Sequence, residues 1–129
     1  MADALVALKK LVYEQRVRPL AEVVRALNDD WRGEEGLRAL CANKMQKFGN
    51  DDPEVDSLYA EIAEMVYREV RRYRCRRGGP IMPGSVVFTY HTDLGALTGA
   101  TPDGRRRGAP LADSAGPSQG QARQGPTAS

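Results

Sequence analysis

Glycine and proline dominate the last quarter of this 129-residue chain and limit what that quarter can fold into. From Gly95 onward one or the other recurs at short intervals, and no aromatic residue occurs there. Glycine weakens helices and strands, and proline lacks a backbone donor, so the pattern predicts turns and irregular backbone. Such a composition, taken alone, is typical of disorder. A hydrophobic core must therefore come from the residues before Gly95.

Those earlier residues show helical periodicity. Apolar side chains recur at spacings of three and four, which predicts amphipathic helices over residues 4–15, 19–28, 34–43 and 53–74. Asp51 and Asp52 are candidates to cap the fourth helix, because Pro53 fits a first helical turn. The predicted buried stripe of this helix consists of Leu58, Ile62, Met65, Val66, Val70 and Tyr73.

A single strand is predicted between Ser85 and Tyr90, where β-branched and aromatic residues follow one another. One strand alone would leave its backbone groups unpaired unless a sheet elsewhere receives it. The predicted fold is mainly α, with one short β-strand and a long irregular C-terminal segment. We divide it into a helical part (1–77), a linker with the strand (78–94) and a Gly/Pro-rich loop segment (95–129).

The net charge of +2 is nearly balanced, so no strong field favours nucleic acid or an anionic membrane as a partner. The most basic stretch, residues 68–77, has glutamates on the same predicted helix and suits a helix C-terminus. We expect neither nucleic acid nor membrane as a partner, and no metal or cofactor in this chain. Two cysteines in unrelated contexts and the lack of an apolar signal peptide indicate a cytoplasmic setting.

Several collinear blocks carry a family resemblance. They are Lys47-Phe48-Gly49-Asn50-Asp51-Asp52, Pro83-Gly84-Ser85 leading to His91, Gly99-Ala100-Thr101-Pro102-Asp103-Gly104-Arg105, Gly108-Ala109-Pro110-Leu111-Ala112-Asp113 and Gly125-Pro126-Thr127-Ala128. Together they resemble the glycyl radical enzymes of the pyruvate formate-lyase type. The blocks look closer to the glycerol dehydratase and choline trimethylamine-lyase branches than to pyruvate formate-lyase itself.

The resemblance implies that the chain is an internal piece of an α/β barrel, with outer helices and one barrel strand. Tyr90 and His91 then become candidates for the wall of a substrate cavity. Structural roles are expected for Asn50, Asp51 and Asp52 and for the turn Thr101-Pro102-Asp103-Gly104-Arg105. In that turn proline presets one backbone angle and Asp-Gly tolerates positive φ, so that Arg105 can anchor it by hydrogen bonds.

The family's two catalytic motifs are missing from this sequence. The radical glycine lies in a motif like Arg-Val-x-Gly-Tyr, and the catalytic cysteine in one like Gly-Cys-x-Glu. Here Arg16-Val17 is followed by Arg18-Pro19, and neither Cys41 nor Cys75 has the required neighbours. We therefore predict no catalytic residue in this chain and no activity for it alone.

By resemblance, the parent enzyme would cleave C–C, C–N or C–O bonds in anaerobic metabolism. Its glycyl radical would be installed by a radical SAM activase, and this chain's partner would be the remainder of the enzyme. Because the sequence ends inside a matched block, we expect a truncation. Two alternatives stay open: a small helical interaction module with a flexible tail, and one subunit of a split radical enzyme.

Overall fold

The computed structural model describes residues 1–85 and 89–125 and is mainly helical, as the periodicity predicts. The α-helices are α1 (Ala2–Leu8), α2 (Leu20–Asn28), α3 (Glu35–Asn43), α4 (Pro53–Val70) and α5 (His91–Leu97), and a π-helical turn (Lys9–Glu14) follows α1. Within the described ranges the β-pairing is limited to one isolated antiparallel bridge, between Arg74 and Pro80. No helix in those ranges is long and apolar enough to cross a membrane.

The first predicted helix is not a single α-helix. After Leu8 the backbone widens, and the amide of Gln15 donates to the carbonyl of Lys10, five residues earlier, at 2.8 Å. Two consecutive lysines reach one carboxylate here: Lys9 Nζ lies 2.6 Å from Glu54 Oε1, and Lys10 Nζ lies 2.9 Å from Glu54 Oε2. The prediction of an uninterrupted α-helix over 4–15 was therefore wrong at its second half.

The main core lies between the N-terminal helices. Its buried residues come from α1, the π-helical turn, α2, α3 and the two segments after α2 and α3: Ala7, Leu11, Ala26, Trp31, Leu37, Cys41 and Met45. Trp31 is fully buried and has a φ of 63°, and its amide donates to Ala26 O at 2.7 Å. A left-handed residue here turns the chain sharply from α2 toward α3 and points the indole inward.

A second, smaller core joins α1 to α4. Ala2, Val6 and Val55 are buried in it, and the rings of Phe48 and Tyr59 stack with centroids 4.5 Å apart. These contacts bury the first turns of α4 against the seven-residue helix α1.

The predicted stripe of α4 is only partly buried. Leu58, Ile62 and Val70 are half-buried, whereas Met65, Val66 and Tyr73 are 53%, 46% and 59% exposed. Since α1 is much shorter than α4, it covers only the N-terminal turns of that stripe. The helix also ends at Val70 instead of residue 74, and turns follow it.

The region of the predicted strand is described at its ends alone. Val86, Val87 and Phe88 lie outside the described residues, Ser85 is irregular, and Thr89 and Tyr90 form a turn. Helix α5 begins directly afterwards at His91, which the sequence did not predict because Gly95 lies in its middle. Gly95 is buried against the backbone of Ala109 and Pro110, which explains a glycine at this place.

Helix α4 is capped by Asp52. Its Oδ1 accepts from the amides of Glu54 at 3.0 Å and Val55 at 3.3 Å, so the first turn has partners for two of its free amides. Asp51, the other candidate, instead has a φ of 54° and turns the chain into the cap.

We predict that Asp52→Ala lowers the free energy of unfolding by about 1 kcal/mol, because two amides lose their acceptor. Urea denaturation followed by circular dichroism measures this. Asp51→Asn is the control, since asparagine tolerates the left-handed backbone, and it should change stability little. Equal losses in the two variants would mean that the Asp52 cap is not what stabilises this helix end.

Candidate functional site

Two of the blocks that are far apart in sequence meet in the structure. Lys47 Nζ, from the first block, donates to the backbone oxygen of Asp103, in the Thr-Pro-Asp-Gly-Arg loop, at 3.1 Å. It also donates to Cys41 O at 2.7 Å, and Lys47 is only 6% exposed. We call this region the motif junction; it comprises Trp31, Arg38, Lys47, Asn50, Asp103, Gly104 and Arg105.

The loop itself is a tight turn. The amide of Gly104 donates to Thr101 O at 3.1 Å, and the amide of Thr101 donates to Arg105 O at 3.0 Å. Pro102 follows the first residue of the turn, and the hydroxyl of Thr101 donates to the Asp103 carboxylate. Gly104 has a φ of 92°, a backbone conformation that side chains disfavour. Each of these residues thus has a structural role: Thr101, Gly104 and Arg105 form the backbone hydrogen bonds of the turn, and the Thr101 hydroxyl binds the Asp103 carboxylate.

Arg105 holds the turn from inside. Its Nη1 donates to Ala109 O at 2.5 Å, its Nη2 to Thr98 O at 3.3 Å and to Gly99 O, and its Nε to Thr101 Oγ1 at 3.3 Å. All three nitrogens therefore bond to the surrounding loop. The guanidinium orders the loop, and it has little donor capacity left for a ligand.

The turn packs directly on α3. A Cβ added to Gly104 would lie 2.8 Å from Ala42 Cβ and 2.9 Å from Arg38 O, closer than side chains tolerate. Arg38 Nη1 donates to Gly104 O at 3.2 Å, and Trp31 Nε1 donates to Arg105 O at 3.2 Å. The buried tryptophan thus packs in the main core and also binds the loop through its indole N–H.

Asn50 ties a later part of the loop segment to the first block. Its Nδ2 donates to Lys47 O at 3.1 Å and to Gln121 O at 2.8 Å, and its Oδ1 accepts from the amide of Arg123 at 2.8 Å. Asp51 and Asp52 lie beside it but act on α4. The three residues of this block therefore have different roles: Asn50 binds the loop segment, Asp52 caps α4 and Asp51 turns the chain into that cap.

Other side chains join the loop segment to the helices, and sequence reasoning did not find them. Asp3 is buried and accepts from the amide of Phe48 at 2.8 Å and from Ser118 Oγ at 3.4 Å. Asp30 accepts from the amide of Arg107 at 2.6 Å. Asp3 lies on α1 and Asp30 in the turn after α2, and the neighbouring sequence of neither shows a partner more than seventy residues away.

The structure places Tyr90 and His91 at the start of α5. Tyr90 is 54% exposed, whereas His91 is half-buried and accepts from the amide of Leu111 through its backbone oxygen at 3.1 Å. The imidazole Nδ1 of His91 is buried without a hydrogen-bond partner among the described residues. Whether these two residues border a substrate cavity remains a prediction.

Burial sets the electrostatics of the motif junction. It lowers the pKa of Lys47, an effect that the nearby negative charges of Asp103 and Asp3 oppose. It raises the pKa of the Cys41 thiol to about 11, although the Lys47 cation opposes this rise. The described residues contain no group of three or more histidine, cysteine or carboxylate side chains placed to hold a metal ion.

Comparison with known proteins assigns the family. The model of the family described as "Pyruvate formate lyase-like" matches residues 1–95. The chain belongs to this pyruvate formate-lyase-like family. A probable dehydratase of Escherichia coli is 38% identical over 136 aligned residues, which cover 99% of this chain and 17% of the relative. The (2S)-3-sulfopropanediol dehydratase of Klebsiella oxytoca is 34% identical to this chain, and the alignment covers 90% of this chain.

A solved structure of the same family gives the corresponding likeness in three dimensions. The glycerol-bound glycerol dehydratase of Clostridium butyricum superposes with a TM-score of 0.92 at 45% identity. The match covers 98% of this chain and 16% of that protein. Our chain therefore spans about a sixth of the length of such relatives, while nearly all of its own residues share their fold.

We predict that Gly104→Ala lowers the free energy of unfolding by at least about 2 kcal/mol, since the new Cβ is both strained and blocked by α3. Gly108→Ala is the matched control: its φ is 77°, but nothing lies within 4 Å of an added Cβ, so about 1 kcal/mol is expected. Urea denaturation of both variants measures the difference. If the two variants lose the same stability, the loop does not pack on α3 as described.

The two thiols should differ strongly in reactivity. Cys75 is exposed, whereas Cys41 is buried with a raised pKa. At pH 8 a thiol reagent should modify Cys75 within minutes and leave Cys41 unmodified until denaturant is added, because the thiolate is the reactive form. Mass spectrometry of labelled peptides measures this, and rapid labelling of Cys41 in the native chain would contradict the buried site.

Proposed function

We propose that this chain is a portion of a glycyl radical lyase whose reaction removes a hydroxyl group from a small polyol, a C–O cleavage of the dehydratase kind. The observation that carries the proposal is the agreement with the glycerol dehydratase fold over 98% of the chain at 45% identity. The two curated relatives described above are also named as dehydratases. Their names are the basis for choosing C–O cleavage over C–C or C–N cleavage.

In this proposal the chain contributes scaffold and not the reacting thiol. A cysteine that exchanges a hydrogen atom with a radical and a substrate must be accessible to both. Cys41 is fully buried beneath the motif junction and does not meet this requirement. Cys75 is exposed, but it is followed by Arg76 and Arg77 and lacks the neighbouring glutamate of the family's catalytic cysteine. The sequence also lacks the Gly-Cys-x-Glu and Arg-Val-x-Gly-Tyr patterns that the family uses. Both reacting groups, and therefore activity, would come from other parts of the parent protein.

In this proposal the motif junction has a structural role. It orders the Gly/Pro-rich segment by fixing it at Lys47, Asn50 and Trp31, which lie on the helical part. An ordered loop segment would give the residues beside it, including Tyr90 and His91, fixed positions at the edge of a substrate cavity. We propose these two residues as wall residues on the basis of the family resemblance.

The helical module with a mobile tail is less well supported. On that hypothesis residues 95–129 would not depend on the helices. In the structure, hydrogen bonds at Arg105, Arg107, Ser118, Gln121 and Arg123 join this segment to residues of the first half. The split-enzyme alternative shares the proposed chemistry and differs only in which polypeptide carries the thiol and the glycine. In either form, we propose a cytoplasmic location and a radical SAM activase as a partner.

Electron paramagnetic resonance tests the proposal. The 129-residue chain, incubated anaerobically with an activase of the family, should give no glycyl radical signal. A polypeptide of the relatives' length that includes this chain, or this chain mixed with its complementary subunit, should give the doublet of an α-hydrogen-coupled glycyl radical. That sample should also convert glycerol or a related diol to an aldehyde.

The control is the same long sample with the glycine of its Arg-Val-x-Gly-Tyr motif changed to alanine, which should lose both signal and product. A doublet from the 129-residue chain, arising at Gly99 or Gly104, would overturn the scaffold role. A long sample that forms the radical but dehydrates no diol would overturn the choice of reaction and keep the family.

A further inference from the structure

Helix α4 has an apolar face that the rest of the described chain covers only at its N-terminal end. The short helix α1 packs on the first turns of α4, where Val55 is buried and Leu58 and Ile62 are half-buried. Beyond the end of α1, the side chains of Met65 and Val66 are exposed to water. Because a helix with an apolar face is stable when another element buries that face, this part of α4 lacks its covering element.

A groove runs along this face, between α4 and α1. Its volume is about 720 Å³, and it is lined by Leu5 of α1 and by α4 side chains from Leu58 to Arg68. At a rise of about 1.5 Å per residue, that stretch of α4 is about 15 Å long, or nearly three turns. The groove is therefore long enough for a second helix to pack beside α4.

More negative than positive side chains line this groove. Glu61 and Glu64 are exposed and line it, and Arg68 lines it in the last turn of α4. Within the described ranges none of the three belongs to an ion pair. An occupant that carries Lys or Arg beside its apolar residues would complement this charge, whereas a second copy of this chain would bring the same negative excess.

The relatives show that much additional polypeptide accompanies this fold. The solved glycerol dehydratase shares the fold of this chain over 98% of the chain, and the match covers only 16% of that protein. Most of such a protein therefore lies outside the aligned part. An apolar face that is exposed in the 129-residue chain has a source of covering elements in a protein of that length.

We propose that the groove binds an amphipathic helix of the parent polypeptide, from outside this chain. Its apolar side chains would pack on Leu58 and Met65, and its Lys or Arg side chains would lie beside Glu61 and Glu64. A helix suits this groove because its apolar residues recur at spacings of three and four, like the residues of α4 that line it. The inference rests on the proposal that this chain is a portion of a longer lyase, and it adds where a further segment of that lyase binds.

Thiol labelling tests whether the groove is covered. Met65→Cys places a thiol in the groove, with the exposed Cys75 and the buried Cys41 as references. In the 129-residue chain a maleimide should modify the introduced thiol about as fast as Cys75, since both are exposed. In a polypeptide of the relatives' length that includes this chain, its modification should be at least about 10-fold slower, because a covered site must open before it reacts. Leu5→Cys, across the groove, should respond in the same way and replaces Met65→Cys if that variant does not fold.

A photo-crosslinker on the introduced thiol identifies the occupant in the long polypeptide. Mass spectrometry should find it joined to a segment outside this chain whose apolar residues are spaced three and four apart and which contains Lys or Arg. Adding Glu61→Lys and Glu64→Lys to the long polypeptide should speed labelling about threefold or more, because attractive contacts become repulsive. Arg68→Gln is the matched control; it keeps both glutamates and should change the rate by less than about twofold.

Equal labelling of the introduced thiol in the 129-residue chain and in the long polypeptide would overturn the proposal. A crosslink to a segment without Lys or Arg, or without the helical spacing, would overturn it too. If labelling of the 129-residue chain instead slows as its concentration rises, and analytical ultracentrifugation shows a dimer, the occupant is a second copy and the proposal is wrong.

The same long polypeptide, measured for radical and product, separates this proposal from the proposed function. If the thiol stays reactive in a sample that forms the radical and dehydrates a diol, the docked helix is wrong and the proposed function stands. If the thiol is protected and crosslinks as expected in a sample that dehydrates no diol, the docked helix is supported and the proposed reaction is wrong.

Discussion

The close approach of Gly104 to α3 is the constraint on which the C-terminal part of this structure depends. The turn presents its carbonyls to the side chains of Arg38, Lys47 and Trp31, and its backbone at Gly104 lies directly against α3. A residue without Cβ, in a left-handed conformation, allows that distance. With the turn in this position, Arg105 donates to the carbonyl of Ala109 within the loop. Asn50 donates to Gln121 O and so binds the segment at a second place.

The contact between the Gly/Pro-rich segment and the helical part is mainly polar. Among its described residues, up to Gly125, the Gly/Pro-rich segment contributes only Ala100 to the packing around the main core, so these residues gain little from the hydrophobic effect. Its order comes instead from backbone carbonyls and amides that bind side chains of the helical part. Each such bond contributes about 1 kcal/mol on balance, and an unpaired buried partner costs more. The segment is therefore ordered by many hydrogen-bonded polar groups, and the loss of a single partner would destabilise the loop.

Sequence reasoning predicted what depends on local patterns. The existence of the helices and the proline at the start of α4 followed from periodicity and capping residues. Features that depend on distant partners were missed. The π-helical turn accompanies two lysines on Glu54, forty-five residues away from Lys9. Helix α5 exists although Gly95 disfavours it, because that glycine packs on Ala109 and Pro110. The stripe of α4 was predicted to be buried because amphipathicity shows which face is apolar and does not show what covers it.

The same limit applies to charge. In sequence the arginines of residues 68–77 and of residues 105–107 look alike, as basic runs near turns. In the structure Arg71, Arg74 and Arg76 are exposed, whereas Arg105 donates inward to the carbonyls of its own loop. A guanidinium that is held by carbonyls behaves as a structural cross-link, and one in water as a screened surface charge. Lys47 belongs to neither group, because it is buried, is held by two carbonyls and retains a donor. Burying a cation costs more than burying a neutral side chain of the same size, and the hydrogen bonds from Lys47 to the carbonyls of Cys41 and Asp103 offset part of that cost while they join α3 to the loop.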